Sequence, residues 1–271
     1  MNEDPIVGAA LPPRLDRGIE GFFEEMTRRT PGGRIVRKDD LLLVFGASPS
    51  PIVVNSILPS GPNVGIDAVR RAFAAYEPVG AVPSMLTRDH LDGALTAQLT
   101  TEGFRRMITL PGMVLEARLP AERPPDGVTI HKVETATDHA RWIEGNLHGF
   151  GEDEPDREAM LSAYGTLDSL VGPPITAWWA ESDGRGVAAS MAYVDQASGV
   201  GVVGWVGTDV AYRGRGIGRA ITLVATNAAF DLGATVLSLQ ASPMGLRVYE
   251  RLGYRTVTGY KVWLAPDTSG H

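Results

Sequence analysis

The chain has 271 residues, 44% of them hydrophobic and 21% charged, which suits one large or two modest folded domains and excludes global disorder. A net charge of −7 disfavours a general nucleic-acid surface, and no apolar run reaches the roughly 18–20 residues that cross a bilayer. The absence of cysteine removes disulfides, thiolate metal sites and cysteine nucleophiles; the five histidines (His90, His131, His139, His148, His271) show no ligand spacing, so no metal is expected.

The acidic start Met1-Asn2-Glu3-Asp4 lacks the basic, then apolar, opening of a secretion signal, which gives a cytoplasmic expectation. A helix is predicted near Ile19 to Arg29, then strands at Leu41 to Phe45 and Pro51 to Leu58, then helices at Val64 to Tyr76 and Leu91 to Glu102. The run Pro120-Ala-Glu-Arg-Pro-Pro-Asp-Gly127 suits an extended linker rather than an element interior. It divides the chain into a domain over 1–119 and a second over 128–265, with 266–271 as a disordered tail.

Beyond the linker, elements alternate. Val128 to Val133 suits a strand, and Thr137 to Leu147 a helix with Trp142, Ile143 and Leu147 on one face. Pro155 in a first turn starts a second helix to Tyr164. Strand-like runs follow at Ile175 to Ala180, Val187 to Val194 and Val200 to Thr208, separated by Asp183-Gly184 and Ala197-Ser198-Gly199. A long helix over Gly216 to Leu232, a strand over Thr235 to Gln240, a helix from Pro243 to Leu252 and a strand over Tyr254 to Leu264 complete the chain. This order predicts a mixed α/β sheet with helices on its faces. The ends of the two pieces also resemble each other. Gly103-Phe104-Arg105 leads into Met113 to Ala117 as Gly253-Tyr254-Arg255 leads into Lys261 to Ala265, the mark of an internal duplication.

Arg213-Gly214-Arg215-Gly216-Ile217-Gly218 lies between a strand and a strongly helical run. Its glycines permit backbone conformations closed to other residues, and the following helix points unpaired N–H groups at whatever fills the loop. That suits a pyrophosphate, with Arg213, Arg215 and Arg219 adding charge. A Walker loop would end in Gly-Lys-Ser/Thr, and a Rossmann fingerprint would place an acid where Leu232-Gly233-Ala234 stands. The pattern R-x-x-G-x-G, matched by Arg213, Gly216 and Gly218, remains.

Val206 to Ala220 resembles the acetyl-CoA motif of the GNAT N-acetyltransferase superfamily. Leu239 to Tyr254, with Val248-Tyr249-Glu250-Arg251-Leu252-Gly253-Tyr254, resembles the same family's next motif. The likeness covers Val128 to Ala265, and the first piece is similar only in outline, like the degenerate half of tandem members. It implies a GNAT-like fold for the second piece and a smaller, degenerate GNAT-like α/β fold for the first. It further implies that backbone groups of Val206, Gly207 and Thr208 pair with the pantetheine arm and polarise the thioester. Gly214, Arg215, Gly216, Ile217, Gly218 and Arg219 would hold the pyrophosphate, and Tyr249 would protonate the leaving thiolate. Ser242 stands where the family often has asparagine, seven residues before that tyrosine. No glutamate base occurs in Leu237-Ser238-Leu239, so the base is either a water chain or a residue elsewhere, with Glu152, Glu154, Asp209 and His148 as candidates.

The implied activity is direct acetyl transfer from acetyl-CoA, without a metal, to a primary amine on a small molecule or peptide, by a monomer or homodimer acting on neither nucleic acid nor membrane. A CoA-binding sensor or partner-binding module without chemistry is the alternative, and a nucleotide enzyme using NAD or ATP is the third reading. Tyr249 could also be a core residue beside Leu246 and Leu252. Trp178 and Trp179 read as packing residues, and Glu152-Asp153-Glu154 as a solvated turn.

Overall fold

The computed structural model describes residues 5–50, 54–150 and 154–266. The chain opens on α1 (Pro5–Arg29), then forms β1 (Arg34–Lys38), β2 (Leu41–Phe45), β3 (Ser56–Pro59), α2 (Ile66–Ala74), β4 (Ser84–Arg88), α3 (Gly93–Thr101) and β5 (Arg105–Leu115). After the proline-rich segment come β6 (Thr129–Lys132), α4 (Ala136–Phe150), α5 (Glu154–Tyr164), β7 (Ile175–Ser182), β8 (Arg185–Asp195), β9 (Val200–Thr208), α6 (Ile217–Asp231), β10 (Val236–Gln240), α7 (Leu246–Leu252) and β11 (Arg255–Leu264). Residues 51–53 of the expected third strand, and 267–271 of the expected tail, lie outside the described residues; the strand itself runs Ser56–Pro59.

Three elements differ from expectation. The first helix begins well before Ile19 and carries Pro12 and Pro13 inside it. Interior prolines cost about 3 kcal/mol of helix propensity, but Leu11, Leu15 and Ile19 form an unbroken buried stripe through them, and tertiary burial outweighs the local penalty. Strands β1 and β4 carry no strand-like alternation. Arg34–Lys38 is a largely exposed edge of charged residues, whereas Ser84–Arg88 is buried on both faces with polar residues included.

All eleven strands form one sheet in the order β1-β2-β3-β4-β11-β5-β10-β9-β8-β7-β6. In each half a strand, a helix and a second strand make a parallel pair, β3-α2-β4 and β9-α6-β10. Each half then sends its last strand into the other half's sheet. β5 lies between β10 and β11 and pairs antiparallel with both, and β11 lies between β4 and β5. Gly103 and Gly253 both take left-handed backbone angles, φ 79° and 97°, where α3 and α7 turn into these strands. The repeat in the sequence is therefore a repeat in structure.

Around the second half, α1, α4 and α5 cover one face of the sheet, burying Leu15, Trp142, Tyr164 and Val202. Helices α6 and α7 cover the other, burying Leu223, Leu237, Tyr249 and Leu252. In the first half α2 and α3 pack with Ile57, Met85 and Trp263, a residue of β11.

The exchange has a direct consequence. A fragment starting at Val128 lacks β5 and presents the edges of both β10 and β11, so it should be insoluble or unfolded when expressed alone. Co-expression of 1–127 with 128–271 should return a soluble complex with native circular dichroism. A stable, monomeric 128–271 fragment would contradict this.

Candidate active site

β9 and β10 pair only at Val200/Val236, Gly201/Leu237 and Val202/Ser238. Beyond Val202, β9 stays with β8 through Gly204/Met191, Gly207/Ala189 and Thr208/Ala188, while β10 stays with β5. Two strands anchored to different neighbours must part. At the parting Trp205 has φ 52°, an uncommon conformation for a bulky residue, and the β8–β9 register shifts there. The end of α4 seats on the freed strand: a Cβ on Gly149 would lie 2.7 Å from Gly207 Cα. Val206, Gly207 and Thr208 so become one wall of a cavity of about 420 Å³, with Ser242, Met244, Val248 and Tyr249 opposite.

The floor of that cavity is the start of α6. Asp209 accepts a hydrogen bond from the Ala211 N–H at 2.8 Å and starts the turn that follows β9. Gly214 and Gly216 then take φ 76° and 84°, which a side chain would strain. Gly216 occupies the N-cap position without a side-chain cap, and α6 has no acidic residue in its first turn. Among the described residues no hydrogen bond satisfies the N–H groups of 214–219. An uncapped helix start with its dipole uncompensated attracts an anion. Gly218 keeps the turn close to β9: a Cβ there would lie 3.1 Å from Thr208 Oγ1.

The arginines of the loop sit on protein partners. Arg213 donates to Thr208 O at 3.0 Å and Gly149 O at 2.9 Å and reaches Met244 Sδ at 3.7 Å. Arg215 donates to Ala211 O and lies over the Tyr212 ring. Arg219 pairs with Glu122 of the proline-rich segment. Arg213 and Arg219 line the cavity together with Arg251, and no carboxylate does so among the described residues.

Tyr249 is buried and lines the same cavity, and its hydroxyl has no hydrogen-bond partner among the described residues. Burial pushes its phenol up to about 12. Gly245 lies under the ring, where a Cβ would come within 2.7 Å of Cε2. Ser242 Oγ accepts from Gly245 N–H at 3.1 Å and so shapes the turn into α7 while facing the cavity. Of the base candidates, Asp209 and His148 are not brought here. Asp209 Oδ2 lies 3.5 Å from His148 Nδ1 and 3.9 Å from Arg185, outside the cavity lining. Glu152 and the side chain of Glu154 lie outside the described residues.

Sequence reasoning missed Gly149, Phe150, Tyr212, Met244, Gly245, Val248 and Arg251 as cavity residues. One signal was present: Gly145 and Gly149, four apart on α4, mark a helix face that meets backbone closely.

Residues 138–254 match the acetyltransferase (GNAT) family. The chain is 31% identical to a mycothiol acetyltransferase of Thermomonospora curvata over 61% of this chain and 58% of that protein. It spans about half the length of the curated relatives it matches, 58%, 52% and 46% of three mycothiol acetyltransferases. Among solved structures, a GCN5-related N-acetyltransferase from Kribbella flavida is similar with TM-score 0.72 at 21% identity, over 94% of this chain and 96% of that one. A tandem GNAT protein from the clavulanic acid biosynthesis pathway is similar with TM-score 0.56 at 12% identity, over 92% of this chain and 94% of that one. At those identities the likeness establishes the fold.

Arg213 ties the ends of β9 and α4 to the loop before α7, so it braces the cavity walls. Arg213→Ala should lower stability by about 1 kcal/mol, read as a thermal midpoint about 2–4 °C lower. An unchanged midpoint would remove the brace.

Proposed function

We propose that this chain, whose residues 138–254 match the GNAT acetyltransferase family, transfers an acetyl group from acetyl-coenzyme A to a primary amine. The observation that carries this reading is one cavity with three components: an unpaired strand edge, an uncapped helix start and an unpartnered phenol. The bound thioester would supply an activated acyl group. The chain's own residues do the rest.

The N–H groups opening α6 hold a diphosphate without bringing in a side-chain charge that must be desolvated. The free edge of Val206 to Thr208 offers backbone donors and acceptors spaced for an amide-bearing arm, and a donor there stabilises the oxyanion as the amine attacks. Holding both reactants in one cavity supplies rate through orientation. The acetyl carbon gains a bond to nitrogen, the carbon–sulfur bond breaks with its electron pair going to sulfur, and the amine's proton passes to water, since no carboxylate lines the cavity among the described residues.

Tyr249 acts on the departing sulfur. A phenol at about 12 holds its proton more tightly than a thiol at about 8.5, so complete transfer to the thiolate runs uphill. Its role is a hydrogen bond donated to the sulfur as charge develops there. Because the raised value keeps the phenol neutral throughout the ordinary range, Tyr249 should not produce a fall in rate on the alkaline side up to pH 10. The rate should instead rise with pH as the acceptor amine loses its proton.

A CoA-binding module without chemistry is the competing reading, and the lack of a carboxylate among the described lining residues favours it. Thiol release over a panel of amines separates the two, and the name of the curated relatives puts mycothiol-type acceptors first in that panel. Coenzyme binding without turnover on any amine would favour the module.

Tyr249→Phe should cut kcat by about ten- to thousandfold with acetyl-CoA affinity near normal. Gly245→Ala should reproduce much of that loss, because its Cβ displaces the ring while φ −80° remains allowed. Full activity in both variants would remove Tyr249 from the mechanism.

A further inference from the structure

The segment between the two halves is not a loose linker. Arg118 pairs with Asp231 at the end of α6, and Leu119 exchanges hydrogen bonds with the Asn227 side chain, N–H to Oδ1 and Nδ2 to O, both 3.0 Å. Glu122 then binds Arg219 in the helix's first turn, through both guanidinium nitrogens, one at 2.6 Å. Pro125 Cγ lies 3.5 Å from where a Cβ on Gly216 would be. The segment thus runs antiparallel to α6 along its whole length.

The lengths agree. The fifteen steps from Gly216 to Asp231 rise about 22 Å, and seven steps of extended, proline-rich chain from Arg118 to Pro125 cover about 22 Å. The prolines hold that extension. The strap starts three residues after β5, the strand given to the other half, and ends over the uncapped amides.

We propose that the strap is part of the coenzyme site and that Glu122 competes with a ligand phosphate for the Arg219 guanidinium. This rests on the coenzyme reading above. Arg219 is the loop arginine whose partner is a carboxylate; Arg213 and Arg215 are held by carbonyl oxygens. The two side chains remain 37% and 42% exposed, so their pairing is a weak surface ion pair that an arriving phosphate can exchange. While paired, Glu122 occupies the guanidinium that an arriving phosphate would otherwise take. The strap therefore sets coenzyme affinity from a segment outside both motifs.

The test is calorimetry of the full chain with coenzyme A and with 3′-dephospho-coenzyme A, for wild type, Glu122→Gln, Arg219→Gln and the double variant. Glu122→Gln should bind coenzyme A about three- to fivefold tighter at low salt, and this gain should vanish in the Arg219→Gln background. A gain confined to coenzyme A identifies the 3′-phosphate as the competing group; a gain with both ligands identifies the diphosphate. Equal or weaker binding by Glu122→Gln, or a gain that persists without Arg219, overturns the proposal while leaving the coenzyme reading intact. No binding of coenzyme A by wild type overturns that reading and this one with it.

Discussion

The cavity exists because two neighbouring strands are held by different partners. β10 is bound on its far side by β5, which is itself bound along its length to β11. β9 is bound by β8 and pressed by the end of α4 through Gly149. Neither set of contacts can follow the other strand, so after three paired residues the sheet splits. A split sheet leaves backbone groups without partners, and an unmade backbone bond is expensive when buried. The split is tolerable because it opens to the cavity rather than into the packed core. The exchange of last strands supports β10 from the side opposite that cavity.

How much of this is legible in the sequence depends on whether the information is local. In the second half, turn-formers such as Asp183-Gly184 and Ala197-Ser198-Gly199 separate runs that match β7, β8 and β9 within a few residues. The glycine loop is equally plain, since Gly214 and Gly216 adopt the backbone that only glycine adopts freely. The exchange of β5 and β11 is different. It brings Arg105 opposite Leu264 across more than half the chain, and no pattern within either strand encodes the partner. The strap was hidden for the opposite reason. Its prolines announce an extended chain, but the same composition serves a free linker, and only the alignment of Arg118, Leu119 and Glu122 with α6 distinguishes the two.

Three guanidiniums beside a glycine loop read as a phosphate clamp; in the structure Arg213 and Arg215 rest on carbonyl oxygens and Arg219 on a carboxylate. An anion site built from free N–H groups needs little added charge, because the helix start already presents aligned donors. The side-chain charge then becomes available for bracing and, through Arg219, for tuning. This division explains how so arginine-rich a loop can sit in an acidic protein.

The two halves carry the same strand–helix–strand unit, and their differences say why the open cleft lies in the second. In the first half the turn after β3 is tied to the β1–β2 turn, with Ser60 and Gly61 N–H groups both donating to Asp40 O. Helix α2 has Asp67 in its first turn, which already answers its dipole, whereas α6 has no acid there. Most decisively, buried Arg88 at the end of β4 donates to Gly61 O at 2.7 Å while paired with Asp92. That bond reaches across the gap between β3 and β4, at the position where β9 and β10 stand open. Removing one member of such a buried pair is strongly destabilising, so the first half is locked shut by charge. One half has become a closed support that lends a strand, and the other keeps the cleft that the support holds open.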